Sequence, residues 1–280
     1  MWTRRRLAVA LVLVVVAAGL WSGLRYDPPG SDPLGAEVTT LRIDSNAVGE
    51  ELPTTIVVPA DIGSEQRDRP LLIFLHGHSE DERSYLVDEM FAALADLGPR
   101  APVVAFPYGG ESSYWHDRDD GDWGRYVAEE VIPEVVEQVG ADGKRVALGG
   151  ISMGGFGALN LANDAPGRFC AIGAHSPALW EDAGDAADGA FDDAEDFDAN
   201  DPIGVATEAP EPYLGGPIWL DIGDEDPFLP GYRAFEEAVG AVDSLVVSQV
   251  WEGDHDSDYW NAHWDEYLDF YADALEACRL

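Results

Sequence analysis

The chain has 280 residues, and its 16 Lys+Arg against 54 Asp+Glu leave a formal net charge of −38. That balance excludes recognition of a nucleic-acid backbone, which needs clustered positive charge. It does not imply disorder, because 46% of residues are hydrophobic and 10% aromatic, enough to build the core of one large domain.

Asp supplies 32 of the acids, and Lys144 is the sole lysine. Such a charge field repels itself in dilute buffer and is screened within roughly 3 Å at 1 M salt, so the composition suits a saline setting. The alternative reading is an ordinary acidic exported protein.

At the N-terminus, Thr3-Arg4-Arg5-Arg6 precedes an uncharged apolar run over 7–20. A basic start followed by such a run is the pattern of an export signal, and extended to residue 24 it reaches the lower limit of a membrane anchor. Positive-inside logic then places the remainder outside the cytoplasm, at the cell surface or beyond it. Residues 25–36 read as a Pro/Gly/Asp-rich linker, and 37–280 as one folded domain.

Within that domain, two β-rich stretches at 39–43 and 54–58 open an antiparallel start to a sheet. An apolar run at 71–75 has the character of a buried strand, and a helical pattern follows to residue 97. A strand at 103–106 leads to a helix over 124–139 with Val127, Val131, Val135 and Val139 on one face; Pro133 should bend it. A strand at 146–148 runs into glycines and a helix. Strands at 170–174, 218–222 and 245–251 follow, with a helix at 232–239, and an amphipathic tail over 260–277 carries Trp260, Trp264, Leu268, Tyr271 and Leu275. Strands alternating with helices predict an α/β fold with a mostly parallel central sheet, helices on both faces, and a site at the strands' C-terminal ends.

An acidic stretch at 181–201 reads as a solvated loop or lid, with a calcium site as the alternative. Residues 117–128 fail as an EF-hand loop, because Gly121 stands fifth and Ala128 twelfth. Cys170 and Cys278 either pair, as export permits, or Cys170 is simply a small buried residue.

The chemistry concentrates at Gly150-Ile151-Ser152-Met153-Gly154, between a strand and a helix. Glycines on both sides allow the sharp turn that lifts a serine hydroxyl above a sheet. A base must follow in the chain. Of six histidines, His255 lies in the loop leaving the last strand; His263 lies within the final helix and reads as packing or capping. The acid should leave the preceding strand, where Asp226 is preferred and Asp224 is the alternative. The Met153 amide and the His78 amide are the expected oxyanion donors, with Gly77 allowing close backbone approach to substrate. A metal pair at His76 and His78 is the rival reading of that segment. Tyr108, Trp115 and Trp180 are candidates for an apolar acyl pocket, each with a core or rim position as its alternative.

Leu75-His76-Gly77, Ser113-Tyr114-Trp115, Glu130-Val131-Ile132-Pro133 and the run from Gly149 to Gly155 together resemble the esterase D-type serine esterases of the α/β-hydrolase superfamily. That group includes S-formylglutathione hydrolases, feruloyl-type esterases and mycolyltransferases. The similarity extends through 223–227 and Gly253-Asp254-His255-Asp256 to Tyr259-Trp260, covering about 37–277. It departs in carrying Asp254 before the histidine and in the acidic 181–201 stretch. The resemblance implies an α/β-hydrolase fold, a Ser152/His255/Asp226 triad, no cofactor and no metal, and a small-molecule or polymer-linked ester as partner. Any membrane attachment would run through the N-terminal segment alone. An acyltransferase using the same triad, or a catalytically silent surface-binding module, are the competing functions.

Overall fold

The computed structural model describes residues 30–60, 68–214, 216–240 and 245–278, together with the backbone of Leu24–Arg25. The expected export segment lies outside the described residues but for Leu24. At the start of the expected linker, Arg25 pairs with Thr39, and Leu24 just before it with Thr40, as a two-residue antiparallel strand. Farther along, the Asp32 N–H donates to Asp88, so this stretch is fastened to the domain.

Eight longer strands make the sheet: β1 (Glu37–Asp44), β2 (Glu51–Val58), β3 (Leu71–Leu75), β4 (Val103–Pro107), β5 (Val146–Ile151), β6 (Ile172–His175), β7 (Ile218–Gly223) and β8 (Val246–Trp251). With Leu24–Arg25 at one edge, their order is β1-β2-β4-β3-β5-β6-β7-β8. The pairs β1–β2 and β2–β4 are antiparallel, and every later pair is parallel. The C-terminal ends of β3 and β5 to β8 therefore open on one edge.

Alternation along β3 divides the core. Leu71, Ile73 and Leu75 join one apolar cluster, Leu72 and Phe74 the other. The first face is covered by α2 (Ile132–Val139), α3 (Met153–Asp164) and α4 (Leu229–Gly240); the second by α1 (Asp88–Asp96) and α5 (Trp264–Ala277). On α5 Trp264, Leu268, Tyr271 and Leu275 are fully buried, as their spacing predicts, whereas Trp260, expected at the head of the same stripe, is half-buried in a separate short helix, Ser257–Asn261. Each fully buried side chain contributes about 1.5–3 kcal/mol of transfer free energy.

Pro133 does not simply bend its helix. Tyr126–Val131 form a π-helical segment directly before α2, so the backbone widens just ahead of the residue that has no N–H to give. Cys170 and Cys278 are joined in a disulfide that ties the end of α5 to the segment entering β6.

Candidate active site

Ser152 sits between β5 and α3 with φ 55° and ψ −116°, a backbone conformation that ordinary residues seldom adopt. The turn closes only because its neighbours lack side chains. A methyl group on Gly154 would lie 2.0 Å from the Leu75 carbonyl oxygen, and one on Gly150 would lie 2.5 Å from the Gly154 backbone. The Ser152 N–H donates to the His175 carbonyl, and its own carbonyl accepts from Phe156 and Ala178, so the turn is pinned on both sides. Met153, the first residue of α3, has its N–H outside the helix's own ladder.

The ends of β7 and β8 bring the acid and base together. They approach so closely that a methyl on Gly223 would meet the Gly253 carbonyl oxygen at 2.3 Å. Asp226 and His255 leave those two ends. The Ser152 hydroxyl donates to His255 Nε2 at 2.9 Å, and His255 Nδ1–H donates to Asp226 Oδ2 at 2.7 Å. Asp226 is 3% exposed, and its second oxygen accepts the Phe228 N–H at 2.8 Å. Phe228 and Trp260 set ring edges against the imidazole, with centroids at 5.0 and 5.2 Å. The arrangement can deprotonate the serine hydroxyl and hold the resulting imidazolium.

The other candidates separate clearly. Asp224 accepts the Gly253 N–H and staples the two loops without touching His255. His263 stacks on Trp251 at 4.0 Å, which is the packing expected of it, but it stands just before α5 and not within it, and its side chain makes no capping bond. His76 gives Nδ1–H to the Gly77 carbonyl at 2.8 Å and accepts the Gly109 N–H on Nε2 at 3.0 Å, while His78 Nδ1 pairs with Ser79 Oγ. Both ring nitrogens of His76 are thus engaged by backbone, which leaves it no lone pair for a metal. Burial pulls its pKa down to about 4, against the raising influence of the Gly77 hydrogen bond.

Among the candidate pocket residues, Trp115 takes the core position that is its other reading. It is fully buried, its Nε1 donates to the His76 carbonyl, and its ring fills the space over Gly109 and Gly157. It packs beneath the site, in a stretch where Tyr114 and Trp115 both have positive φ. Tyr108 stacks on His76 at 5.7 Å. Trp180 reaches the site through Phe228, at 5.5 Å, within an aromatic group that includes Tyr114 and Phe191. Phe228 had no signal beyond its place two residues after Asp226.

The acidic stretch is organised. Asp182, Asp193 and Asp201 each accept backbone N–H groups at the start of a short helical turn. The cation it gathers around is Arg118, whose guanidinium meets Asp192 at 2.9 Å and the carbonyls of Ser112, Gly189 and Ala190. Arg118 belongs to the very segment that the EF-hand test rejected.

A buried network under the site was not foreseen. His175, which ends β6, pairs with Asp221 at 2.6 Å and with the Tyr271 hydroxyl at 2.9 Å. Asp221 also accepts from Trp219, Tyr259 and Tyr267. With the Asp221 carboxylate beside them, burial first and that charge second push the phenols of Tyr259 and Tyr267 well up. Four donors, from His175, Trp219, Tyr259 and Tyr267, satisfy a carboxylate that would otherwise be costly to bury.

A family model described as "Putative esterase" matches residues 45–270. The chain belongs to this esterase family. It has the α/β-hydrolase fold, and carboxylic-ester hydrolysis is the activity of that family. The esterase is 24% identical over 238 residues to Esterase Rv1288 of Mycobacterium tuberculosis (strain ATCC 25618 / H37Rv), covering 70% of this chain and 50% of that relative. It therefore spans about half the length of the curated relatives it matches. Among solved structures it resembles a ferulic acid esterase, with TM-score 0.74, 22% identity, and coverage of 85% of this chain and 99% of that one. An S-formylglutathione hydrolase from Agrobacterium tumefaciens gives TM-score 0.73 and 19% identity, over 86% of this chain and 96% of that one. Mycobacterium tuberculosis MPT51 gives TM-score 0.64 and 16% identity, over 86% and 99%. These likenesses concern the fold.

Proposed function

We propose that this is an exported carboxylic-ester hydrolase working through Ser152, His255 and Asp226. The observation that carries the reading is the unbroken chain of hydrogen bonds from the Ser152 hydroxyl through the imidazole to a buried carboxylate. Ser152 Oγ attacks the acyl carbonyl carbon while its proton passes to His255 Nε2. Asp226 holds the imidazole in the required tautomer and stabilises its charged form. The tetrahedral oxyanion accepts from the Met153 and His78 amides, each worth roughly 3–4 kcal/mol. His255 returns the proton to the departing alcohol, then takes one from a water that attacks the acyl-enzyme. It gives that proton back to Ser152 Oγ as the oxygen is expelled and the carboxylic acid leaves. Trp180 and Phe228 form an apolar wall beside His255, which suits an uncharged acyl group.

Export is supported by two independent features. Thr3-Arg4-Arg5-Arg6 precedes the apolar run over 7–20, and the Cys170–Cys278 disulfide belongs in an oxidising compartment.

Hydrolysis of a p-nitrophenyl ester series by wild type beside Ser152→Ala tests the chemistry, with fluorophosphonate labelling read by mass spectrometry. Turnover and a label on Ser152 are expected in wild type alone. Equal inactivity of both proteins across chain lengths and salt concentrations would end the enzyme reading, and a label on Ser152→Ala would mean another nucleophile. Fractionation of cells expressing the full chain tests export; a cytoplasmic pool of unbridged protein would refute it.

A further inference from the structure

The turn that bears His78 is held by a carboxylate to which the triad gives no role. Glu80 Oε2 accepts the Gly77 N–H at 2.8 Å and also accepts the Tyr85 hydroxyl. Tyr85 is a buried side chain whose ring meets Phe74 and Trp264 edge-on, so the carboxylate is tied to the core under the sheet.

The hydrogen bonds of the turn show what this accomplishes. The Gly77 carbonyl accepts from His76 Nδ1 at 2.8 Å and from the Glu80 N–H at 3.3 Å. The Ser79 N–H donates to the Glu111 carbonyl at 2.9 Å, with Ser79 at φ 60°. The Gly77 N–H is shared between Glu80 Oε2 and, at 3.2 Å, the hydroxyl oxygen of Tyr85, which Glu80 itself holds. Among the described residues, His78 has the one amide of the turn that is left without a partner. Nucleophile and carboxylate also meet at the same glycine: a methyl on Gly77 would lie 2.8 Å from Glu80 Oε2 and 3.4 Å from Ser152 Cβ.

We propose that Glu80 is a positioning residue for ester hydrolysis: by capturing the Gly77 N–H it fixes the peptide planes of the turn and leaves the His78 N–H as the donor to the oxyanion. This rests on the triad reading above. Glu80 acts as a hydrogen-bond acceptor in this role, so an amide in its place should serve, whereas an absent or retracted side chain should not. Without it the Gly77 and His78 peptides can rotate, and the transition state loses a preorganised donor while the ground-state ester loses little.

The test compares Glu80→Ala, Glu80→Asp and Glu80→Gln with wild type on a neutral p-nitrophenyl ester, with melting temperatures measured alongside. Ala and Asp should each lower kcat by about a hundredfold with KM nearly unchanged, the scale of one lost oxyanion donor. Gln should restore kcat to within about threefold of wild type, since only the acceptor is required. Binding of a trifluoromethyl ketone, which mimics the tetrahedral adduct, should weaken in parallel with kcat/KM in Ala and Asp. A purely structural role would lower the melting temperature and leave that parallel absent. Wild-type kcat in either Ala or Asp overturns the proposal, as does a Gln variant as slow as Ala. Should Glu80→Ala not fold, the Asp and Gln pair decides the matter. Retained turnover in Ser152→Ala, run in the same assay, would instead remove the triad reading itself, whereas an inactive Ser152→Ala beside a fully active Glu80→Ala removes only the role of Glu80.

Discussion

Acidification should destabilise this protein through His76. The imidazole is 1% exposed, its Nδ1–H is committed to the Gly77 carbonyl, and its Nε2 lone pair receives the Gly109 N–H. A second proton would turn Nε2 into a donor facing a donor, in a site that burial closes to bulk solvent. Burial accordingly holds the pKa at about 4, below the 6.5 usual for histidine. Between those two values the unfolded chain binds a proton that the native chain refuses. Stability from His76 is therefore complete above pH 6.5, declines as the pH falls, and is exhausted near pH 4. A gap of that size is worth about 3 kcal/mol, a large share of the stability of an ordinary domain. Urea unfolding of wild type and His76→Gln at pH 8, 6, 5 and 4 isolates the contribution, because the other carboxylates titrate in both proteins. The advantage of wild type over the variant should shrink by about 3 kcal/mol across that range. A difference that stays constant with pH would refute the reasoning and mean that the cavity accommodates an imidazolium.

Other consequences are equally direct. Asp226→Asn should leave the fold intact and lower kcat on a p-nitrophenyl ester by on the order of ten-thousandfold, since the amide favours the wrong imidazole tautomer; a loss under tenfold would show that Asp226 is not the partner that matters. Replacing Cys170 and Cys278 together by Ser should cost about 4–5 kcal/mol, because the bridge closes a loop of 108 residues, and an unchanged calorimetric melting temperature would contradict this. Gly173→Ala should destabilise by roughly 1–3 kcal/mol or more, because the methyl would lie 1.8 Å from the Tyr271 hydroxyl; Tyr271→Phe in the same background should recover part of that loss, and no recovery would place the strain elsewhere. Raising NaCl from dilute to molar should increase the melting temperature of a chain with net charge −38, and a flat response would remove the saline-setting reading.

Much of the site could be read in one dimension because its parts are local. The run at 71–75 matches β3 residue for residue, since a strand buried on both faces is continuously apolar. The glycines around Ser152 are a local steric requirement, and the order of serine, acid and base follows from which strand ends share an edge. Asp226 and Asp224 are two residues apart and alike in chemistry, and locally only the place of Asp226 one turn beyond the strand end favours it. The choice depends on how the ends of β7 and β8 meet, where Gly253 engages Asp224 and leaves Asp226 to His255.

What the amino-acid order determined by itself was the architecture and the reacting groups, because apolar periodicity and glycine sterics act within a few residues. What the tertiary structure decided was the environment of each group. His175 with Asp221, Arg118 among the acids of 181–201, and Trp115 beneath the site all owe their roles to partners tens of residues away. A side chain's charge state, burial and hydrogen-bond partners are properties of the space that surrounds it, and that space is assembled only when distant segments pack.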